Sequence, residues 1–456
     1  VLARSVLARS VAWTPPRAGI GGRQQSGRWL ALTSLAFGVA LCHSAGMAQE
    51  GTGGQRPDAS KSLRGEVVVS EEAQAIHAQH YLFDGHNDLP WLIRTEASRS
   101  FENYDIAEVQ LAGHTDIPRL RAGGVGAQYW SVYVPANTVE SGISHQMTLE
   151  QIEIVHAMLA KYPETFELAL TRADIDRIRA KGKIASLIGV EGGHAIENSL
   201  EKLRRLYALG ARYMTLTHSK SLDWADSCTD EPRSGGLSEF GKEVVHEMNR
   251  LGMLVDLSHV SPATMQAAMD VSEAPVIFSH SSARGVADHV RNVPDDILKQ
   301  LPADGGVVMV NFYSGFVVPE SAARSLSKFE RSPETREKYG DDQAAIAKAA
   351  AAYRLANPLL PGSVHDVADH IDRIVKLAGI DHVGIGSDFD GIDVVPHQLE
   401  DVSKYPMLTQ VLLDRGYSEE DLVKILHGNI LRVIEQAELV SQRLQESTSQ
   451  GLPEKP

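Results

Sequence analysis

Eight short apolar runs between residues 81 and 385 constrain the fold of this chain more than any other feature of its sequence. They alternate with longer segments whose apolar residues recur at helical spacing, which is typical of repeated strand–helix units around a parallel sheet. Such a set of parallel strands closes into a (β/α)8 barrel of the TIM type, which is the predicted fold. The predicted strands are 81–83, 126–134, 184–190, 212–217, 253–257, 276–278, 306–311 and 383–385.

The segments between these strands carry start and stop signals of helices. Ser261 and Pro262 have the chemistry of an N-cap followed by proline at the first helical position. Gly252 follows an apolar stripe and predicts a helix end just before a strand. Thr148 and Gln151 form a capping-box pair and predict a helix start at that point.

The domain boundaries are predicted from composition. The catalytic barrel is assigned to residues 71–440, followed by a flexible C-terminal tail at 441–456. A charged, Ala-rich insertion at 317–361 lies between the last two predicted strands; a lid, an oligomer contact and a solvated helical excursion all fit this segment. The chain has 456 residues, a formal net charge of -15 and no long Lys/Arg run, which argues against a nucleic-acid partner.

The first 48 residues differ from the rest of the chain. A basic stretch is followed by a short apolar run and then by small residues, which is the layout of an N-terminal extension with a secretory signal peptide. Residues 49–70 are rich in Gly and charge and are predicted to be a linker. We therefore expect an exported chain, periplasmic or secreted, without a transmembrane span after processing. A lipid anchor on Cys42 is the less favoured alternative, because Leu41 occupies a position where a small residue is expected.

Nearly every predicted strand ends in side chains that bind metal ions or move protons. In a barrel, the carboxyl ends of all strands meet at one mouth, so these side chains are expected to converge. His86 and Asp88 are two residues apart in an extended segment and therefore point the same way. A single histidine is more often structural than a ligand, but apolar strands do not place several buried ionisable groups together without partners. The strand-end residues are Asp84, His86, Asp88, Glu191, His218, His259, His280 and Asp388.

Imidazole and carboxylate groups without thiolates favour a catalytic divalent ion, with zinc first. Since a catalytic zinc ion uses about three protein ligands, five candidates predict two ions that share a carboxylate. We predict that His86 and Asp88 bind one ion, that His259 and His280 bind the other, and that Glu191 bridges them, with a hydroxide between the ions. His194 and the histidines in helical or connecting segments, namely His114, His246, His365 and His370, are interpreted as structural or solvated.

The sequence around these residues resembles the membrane dipeptidase family, also called renal dipeptidase. The motifs DGHNDLPW, GVEGGHAIE, DLSHVS, PVIFSHSSA and GSDFDGI occur in order between about residues 76 and 434. The resemblance implies a binuclear zinc barrel that hydrolyses dipeptides, with the same five metal ligands. It further implies that His218 polarises the substrate, that Arg291 binds its carboxylate, and that Asp388 is the catalytic acid–base group.

The expected reaction is zinc-dependent hydrolysis of L-Xaa-L-Xaa and L-Xaa-D-Xaa dipeptides by a metal-bridging hydroxide. One alternative is a deacylase or lactamase-type amidohydrolase acting on another small amide, and another is a degenerate barrel that only binds zinc. Without the resemblance, Arg291 would be interpreted as a salt-bridge partner of Asp295 or Asp296 at a helix start. A homodimer is compatible with the sequence, whereas the disulfides and glycolipid anchor of animal relatives are not carried over.

Overall fold

The computed structural model describes residues 64–330, 332–340 and 342–450. The predicted signal peptide, Cys42 and most of the predicted linker fall on residues 1–63 and therefore lie outside the described residues. The end of that linker is bonded to the barrel, since the backbone N–H groups of Val67 and Ser70 donate to the side chains of Gln398 and Gln410.

The described strands form one parallel sheet that closes on itself. Each strand of the ring pairs with the next in the order β1-β2-β4-β5-β6-β7-β8-β9, and β9 pairs back onto β1. The short β3 pairs only with the first residues of β4 and stands outside the ring. The eight-stranded (β/α)8 barrel predicted from the sequence is thus confirmed, while β3, at three residues too short for a periodic signal, was not predicted. The strands are β1 (Leu82–Asn87), β2 (Val125–Tyr133), β3 (Phe166–Leu168), β4 (Ile184–Glu191), β5 (Ala211–Thr215), β6 (Leu254–Asp256), β7 (Ile277–Phe278), β8 (Val307–Val310) and β9 (Val383–Ile385).

Side chains that alternate along the barrel strands belong to two separate cores. On β8, Val307 and Met309 belong to one buried cluster, and Val308 and Val310 belong to the other. This division follows from the two-residue period of a strand, which sends one set into the barrel and the other towards the helices. Tight filling of the barrel interior makes it a packed core and leaves the mouth as the place for a site.

Helices surround the ring, and most predicted helix ends are confirmed. Helix α9 begins at Pro262 with Ser261 as its N-cap, and α8 ends before Gly252, whose φ of 78° favours glycine. The predicted helix start at Thr148 is wrong, because α5 begins a turn earlier at Ser144 and the Thr148 hydroxyl donates to the Ser144 carbonyl within the helix. The helices are α1 (Glu71–Gln79), α2 (Leu89–Glu96), α3 (Ile117–Ala122), α4 (Thr138–Ser141), α5 (Ser144–Lys161), α6 (Arg172–Ala180), α7 (Leu200–Ala208), α8 (Glu239–Leu251), α9 (Pro262–Val271), α10 (Asp295–Leu298), α11 (Leu301–Asp304), α12 (Ser314–Val317), α13 (Pro319–Ala323), α14 (Leu326–Glu330), α15 (Pro333–Tyr339), α16 (Gln343–Ala356), α17 (Val364–Ala378), α18 (Tyr405–Asp414), α19 (Glu419–Val423) and α20 (Asn429–Gln450).

Two segments extend beyond a minimal barrel. Helix α20 continues to Gln450, so the predicted tail boundary after residue 440 falls inside a helix. The insertion at 317–361 contains α13 to α16, and the rings of Phe329 and Tyr353 stack at 4.4 Å between its helices. Among the helices of the described residues, none has the length and apolar character needed to span a bilayer.

Candidate active site

The predicted strand-end side chains converge at one mouth of the barrel. They come from the ends of β1, β4 and β9 and from the residues that follow β5, β6 and β7, as the barrel geometry requires. All are at least largely buried, although they carry charge or hydrogen-bonding groups. A cavity of about 630 Å³ opens above them and is lined in part by Asp88, Glu191, His218, His259, Arg291 and Asp388.

Glu191 lies at the centre of this group. Its Oε1 atom is 3.1 Å from Nε2 of His259 and 3.6 Å from Nε2 of both His218 and His280. Nε2 of His86 is 3.8 Å from the same oxygen. A single carboxylate oxygen that faces four imidazole nitrogens is positioned to contact cations on either side of it.

Two further carboxylates, those of Asp88 and Asp388, lie beside His86. The Nε2 atom of His86 is 3.2 Å from Asp88 Oδ2 and 4.0 Å from Asp388 Oδ1. The other oxygen of Asp388 accepts a hydrogen bond of 2.7 Å from the Asn311 side chain. Within the described residues, three sets have ligand atoms within 4.8 Å of one another, namely His86–Glu191–His280, Glu191–His218–His259 and His86–Asp88–Asp388. Because the sets share members, they form one continuous candidate metal centre.

Two of these histidines are held by hydroxyl groups on their far side. Nδ1 of His86 is 2.8 Å from the Tyr213 hydroxyl, and Nδ1 of His280 is 2.8 Å from Ser279 Oγ. Ser279 Oγ donates to Asp256 Oδ2 at 2.7 Å, so its lone pair is free to accept from the Nδ1–H of His280. This arrangement leaves the Nε2 lone pair of His280 directed at the cluster. The orienting residues were missed by sequence reasoning, because the Tyr213–His86 and Ser279–Asp256 bonds join residues of different strands or of the segments after them, and only the barrel register brings these residues together.

Burial dominates the electrostatics of the cluster. It lowers the pKa values of His218, His259 and His280 well below the ordinary value, so these imidazole rings are neutral at neutral pH. For His86, burial also lowers the pKa, but the neighbouring carboxylates outweigh it and raise the pKa to about 10. Burial raises the pKa of Glu191 to about 8.

The centre contains buried polar atoms that a bound cation would satisfy. Nε2 of His86 and Oδ1 of Asp88 are buried and have no hydrogen-bond partner among the described residues. Neutral imidazoles and carboxylate oxygens without thiolates are the donor set of a catalytic divalent metal site. The residues present thus fit a metal centre.

The backbone is strained where it presents these groups. His259, Asp388 and Asp390 have φ values of 66°, 69° and 66°, in the left-handed region that residues other than glycine rarely adopt. A Cβ atom at Gly391 would lie 2.2 Å from Oδ2 of Asp88, so only glycine fits this turn. Such positions cost on the order of 1–3 kcal/mol each and persist where the surrounding structure enforces them, often at functional sites.

Arg291 lies beside the cluster with its guanidinium incompletely bonded. The side chain is 4% exposed and stacks over the Phe316 ring at 5.2 Å. Its Nη atoms make only long contacts of 3.4 and 3.3 Å, to the Ser281 hydroxyl and the His280 carbonyl, and Nε has no partner. No carboxylate of the described residues pairs with Arg291. The alternative that Arg291 forms a salt bridge with Asp295 or Asp296 at the helix start is wrong. Asp295 pairs with Arg373, and Asp296 forms no ion pair with Arg291.

The histidines interpreted as structural have structural contacts. Nε2 of His194 is 3.0 Å from the Val134 carbonyl, and Nε2 of His370 is 3.0 Å from the Val317 carbonyl. Nδ1 of His114 accepts from the backbone N–H of Asp390 at 3.0 Å. The last of these bonds supports the turn that carries Asp388.

The fold and the site together define a class of protein, a (β/α)8 barrel with a candidate metal centre at the carboxyl ends of its strands. The membrane dipeptidase family (peptidase family M19) matches residues 70–448. The chain belongs to this family, which consists of metallopeptidases.

Individual relatives agree with this assignment. The dipeptidase aclJ of Aspergillus oryzae is 41% identical over 376 residues, which cover 80% of this chain and 79% of that protein. Among solved structures, the probable dipeptidase PvdM of Pseudomonas aeruginosa has a TM-score of 0.70 at 24% identity, covering 81% of this chain and 98% of its own. A metallo peptidase of Rhodobacter sphaeroides, solved with a phosphinate mimic of the dipeptide L-Ala-D-Ala, has a TM-score of 0.64 at 24% identity and covers 78% and 99% of the two chains. The two structural likenesses support the fold.

Proposed function

We propose that the protein is a zinc-dependent dipeptidase that hydrolyses L-Xaa-L-Xaa and L-Xaa-D-Xaa dipeptides. The observation that carries the proposal is the position of an unpaired, buried guanidinium next to a cluster of neutral imidazoles and carboxylates. The cluster suits a hydrolytic metal centre, and the guanidinium suits a free carboxylate at a short distance from the bond to be cleaved.

Five side chains would hold two zinc ions. His86 and Asp88 would serve one ion and His259 and His280 the other, with Glu191 between them. The central position of Glu191 Oε1 and the distance of 2.9 Å between the Nε2 atoms of His259 and His280 support this division. The hydroxyl contacts behind His86 and His280 support their role as oriented ligands. Nδ1 of His218 is buried without a hydrogen-bond partner, so this ring has no hydroxyl contact like those of His86 and His280.

When bound, the zinc ions would polarise the scissile carbonyl and lower the pKa of an attacking water molecule. Asp388 would take a proton from that water and pass it to the leaving amine, because one of its oxygens is fixed by Asn311 and the other faces the cluster. His218 would donate a hydrogen bond to the carbonyl oxygen as negative charge develops there. Arg291 would bind the C-terminal carboxylate and so restrict substrates to short peptides.

Hydrolysis of a small peptide panel tests this proposal. The zinc-loaded chain should cleave L-Ala-L-Ala and L-Ala-D-Ala, should spare N-acetyl-L-Ala-L-Ala and tripeptides, and should lose activity with a chelator. Arg291→Ala should reduce kcat/KM for dipeptides by about 100-fold or more, because a charge-assisted, two-pronged contact is lost. Arg291→Lys serves as the control for charge without the planar fork.

Cleavage of the acetylated compound alone would favour the deacylase alternative. Unchanged dipeptide kinetics in Arg291→Ala would contradict the role of the guanidinium. Zinc binding without any turnover would favour the binding-protein alternative.

We further propose that the chain is exported by a signal peptide within residues 1–48. Fractionation of cells that express the full chain, with and without these residues, tests this, and retention of both forms inside the cell would contradict it. A homodimer stays a prediction, for which light scattering of the purified chain is the measurement.

A further inference from the structure

A second cavity of about 260 Å³ adjoins the candidate active site. One wall is formed by His218, His259 and Arg291, which also line the main cavity. The opposite wall comes from α12 and the insertion and includes Phe316, Leu326 and Leu359. Whole small-molecule sites usually occupy about 300–1,000 Å³, so this space suits one side chain better than a further residue of substrate.

The position of Arg291 indicates which side chain this is. Arg291 lines both cavities. In a dipeptide, the α-carbon of the C-terminal residue is bonded to both the scissile nitrogen and the free carboxylate. With the carboxylate on Arg291 and the scissile carbonyl at the metal centre, the C-terminal side chain leaves the backbone beside the second cavity.

The chemistry of the walls indicates what kind of side chain fits. Leu326, Leu359 and Phe316 present apolar surface. The charged residues on the insertion side are occupied elsewhere, since Arg324 donates to the Pro358 carbonyl at 2.8 Å and Arg354 pairs with Asp393. Burial of apolar surface would therefore be the main contribution of this cavity to binding.

We propose that the second cavity selects dipeptides with a large apolar C-terminal residue, and that Leu359 is a specificity-determining residue. The inference rests on the proposed dipeptidase function. It gives the insertion at 317–361 a role in substrate selection, because the insertion forms the wall that a minimal barrel lacks.

The test compares L-Ala-L-Leu with L-Ala-Gly as substrates of the zinc-loaded full chain. We expect kcat/KM to be at least about tenfold higher for L-Ala-L-Leu, since one methylene group in an apolar pocket changes kcat/KM by about tenfold or more. Leu359→Asp should reduce kcat/KM for L-Ala-L-Leu by at least about tenfold more than it reduces kcat/KM for L-Ala-Gly. The matched control is Leu355→Asp, because Leu355 belongs to the same insertion, is 86% exposed and lines neither cavity.

Each outcome decides a different point. Equal kcat/KM for the two dipeptides in the unmodified chain, or unchanged selectivity in Leu359→Asp, would overturn the pocket assignment while the dipeptidase function stands. Turnover of neither dipeptide by the unmodified chain would overturn both. If Leu359→Asp loses both activities, the milder Leu359→Ala decides, because a reduced preference for L-Ala-L-Leu supports the pocket and an unchanged preference overturns it.

Discussion

The candidate metal centre combines buried polar atoms that have no hydrogen bond with backbone positions that are strained. His86 Nε2 and Asp88 Oδ1 are buried without hydrogen bonds, and three residues around them adopt left-handed backbone conformations. A buried polar atom without a hydrogen bond costs about 1–3 kcal/mol, and the 3.2 Å ion pair between His86 Nε2 and Asp88 Oδ2 offsets part of this cost. Residues that are unfavourable for folding and close together indicate selection for function.

Ser279 provides a test of how the metal ligands are oriented. Its hydroxyl receives the Nδ1–H of His280 and donates to Asp256, which also accepts from Ser279 N at 2.8 Å and Ser258 N at 3.1 Å. Ser279→Ala should weaken zinc binding by about 10–100-fold, because the tautomer and the ring orientation of His280 are no longer fixed. Competition with a fluorescent zinc chelator measures the affinity directly, without reference to activity.

The conservative variant separates orientation from packing. Ser279→Thr keeps the hydroxyl and should retain most of the zinc affinity. Ser279→Ala removes the hydroxyl and with it the hydrogen bond to His280. Equal zinc affinities of Ser279→Ala and the unmodified chain would contradict the positioning role.

At the scale of secondary-structure elements, the barrel strands were predictable, whereas the residues that hydrogen-bond to the site histidines were not. The runs ending near His86, Glu191 and His280 are apolar and end in polar groups, so both strand and site position could be inferred. The hydroxyl of Tyr213 reaches His86 across strands that are far apart in the chain, and no local pattern predicts such a contact. The start of α5 was mispredicted because a helix signal at Thr148 lies inside a longer helix.

The apolar wall that the insertion adds to the site was also beyond sequence reasoning. Leu326 and Leu359 are 33 positions apart and are brought to one cavity only by the fold of the insertion. Composition identified the segment as extra, but a lid, a contact surface and a solvated helix all remained open. The structure places Leu326 and Leu359 in the lining of the second cavity, a position that none of these alternatives specified.

Asp304, at the end of α11, is expected to give the β7–β8 junction a pH-dependent stability. Its carboxylate accepts from the Val276 N–H at 3.2 Å, and burial raises its pKa to about 6. Because the folded-state pKa is raised above the unfolded value, the group contributes stability at low pH that is lost as the pH rises through about 6. The unmodified chain should therefore lose about 1 kcal/mol from this group between about pH 5 and about pH 8.

Asp304→Asn removes this titration and keeps an acceptor for Val276. The difference in unfolding free energy between the variant and the unmodified chain, from urea denaturation with zinc held constant, should shift in favour of the variant as the pH rises. Asp296→Asn, at an exposed position in α10, is the control and should show no such trend. A pH-independent difference for Asp304→Asn would contradict the assignment.

At the scale of the whole molecule, the candidate metal centre joins strands that are distant in sequence. Its proposed ligands come from β1, from β4 and from the segments after β6 and β7, so bound zinc would connect strands around the barrel. Metal that binds only the folded chain stabilises it by mass action, by about 2.7 kcal/mol at a free concentration of 100 times Kd. For a domain of this size, each kcal/mol corresponds to about 2–4 °C or less in Tm.

Removal of zinc should therefore lower the Tm of the whole chain by several degrees, in a single transition, because the ligands belong to one barrel rather than to a separate module. Differential scanning calorimetry before and after dialysis against a chelator measures the shift, and zinc added back should restore it, whereas Mg²⁺, which prefers oxygen ligands, should not. Ser279→Ala should need more zinc than the unmodified chain to reach the same Tm, since mass action links stability to affinity. An identical Tm with and without zinc would mean that the metal does not connect the strands, and the five-ligand assignment would then fail even if the chain hydrolyses dipeptides.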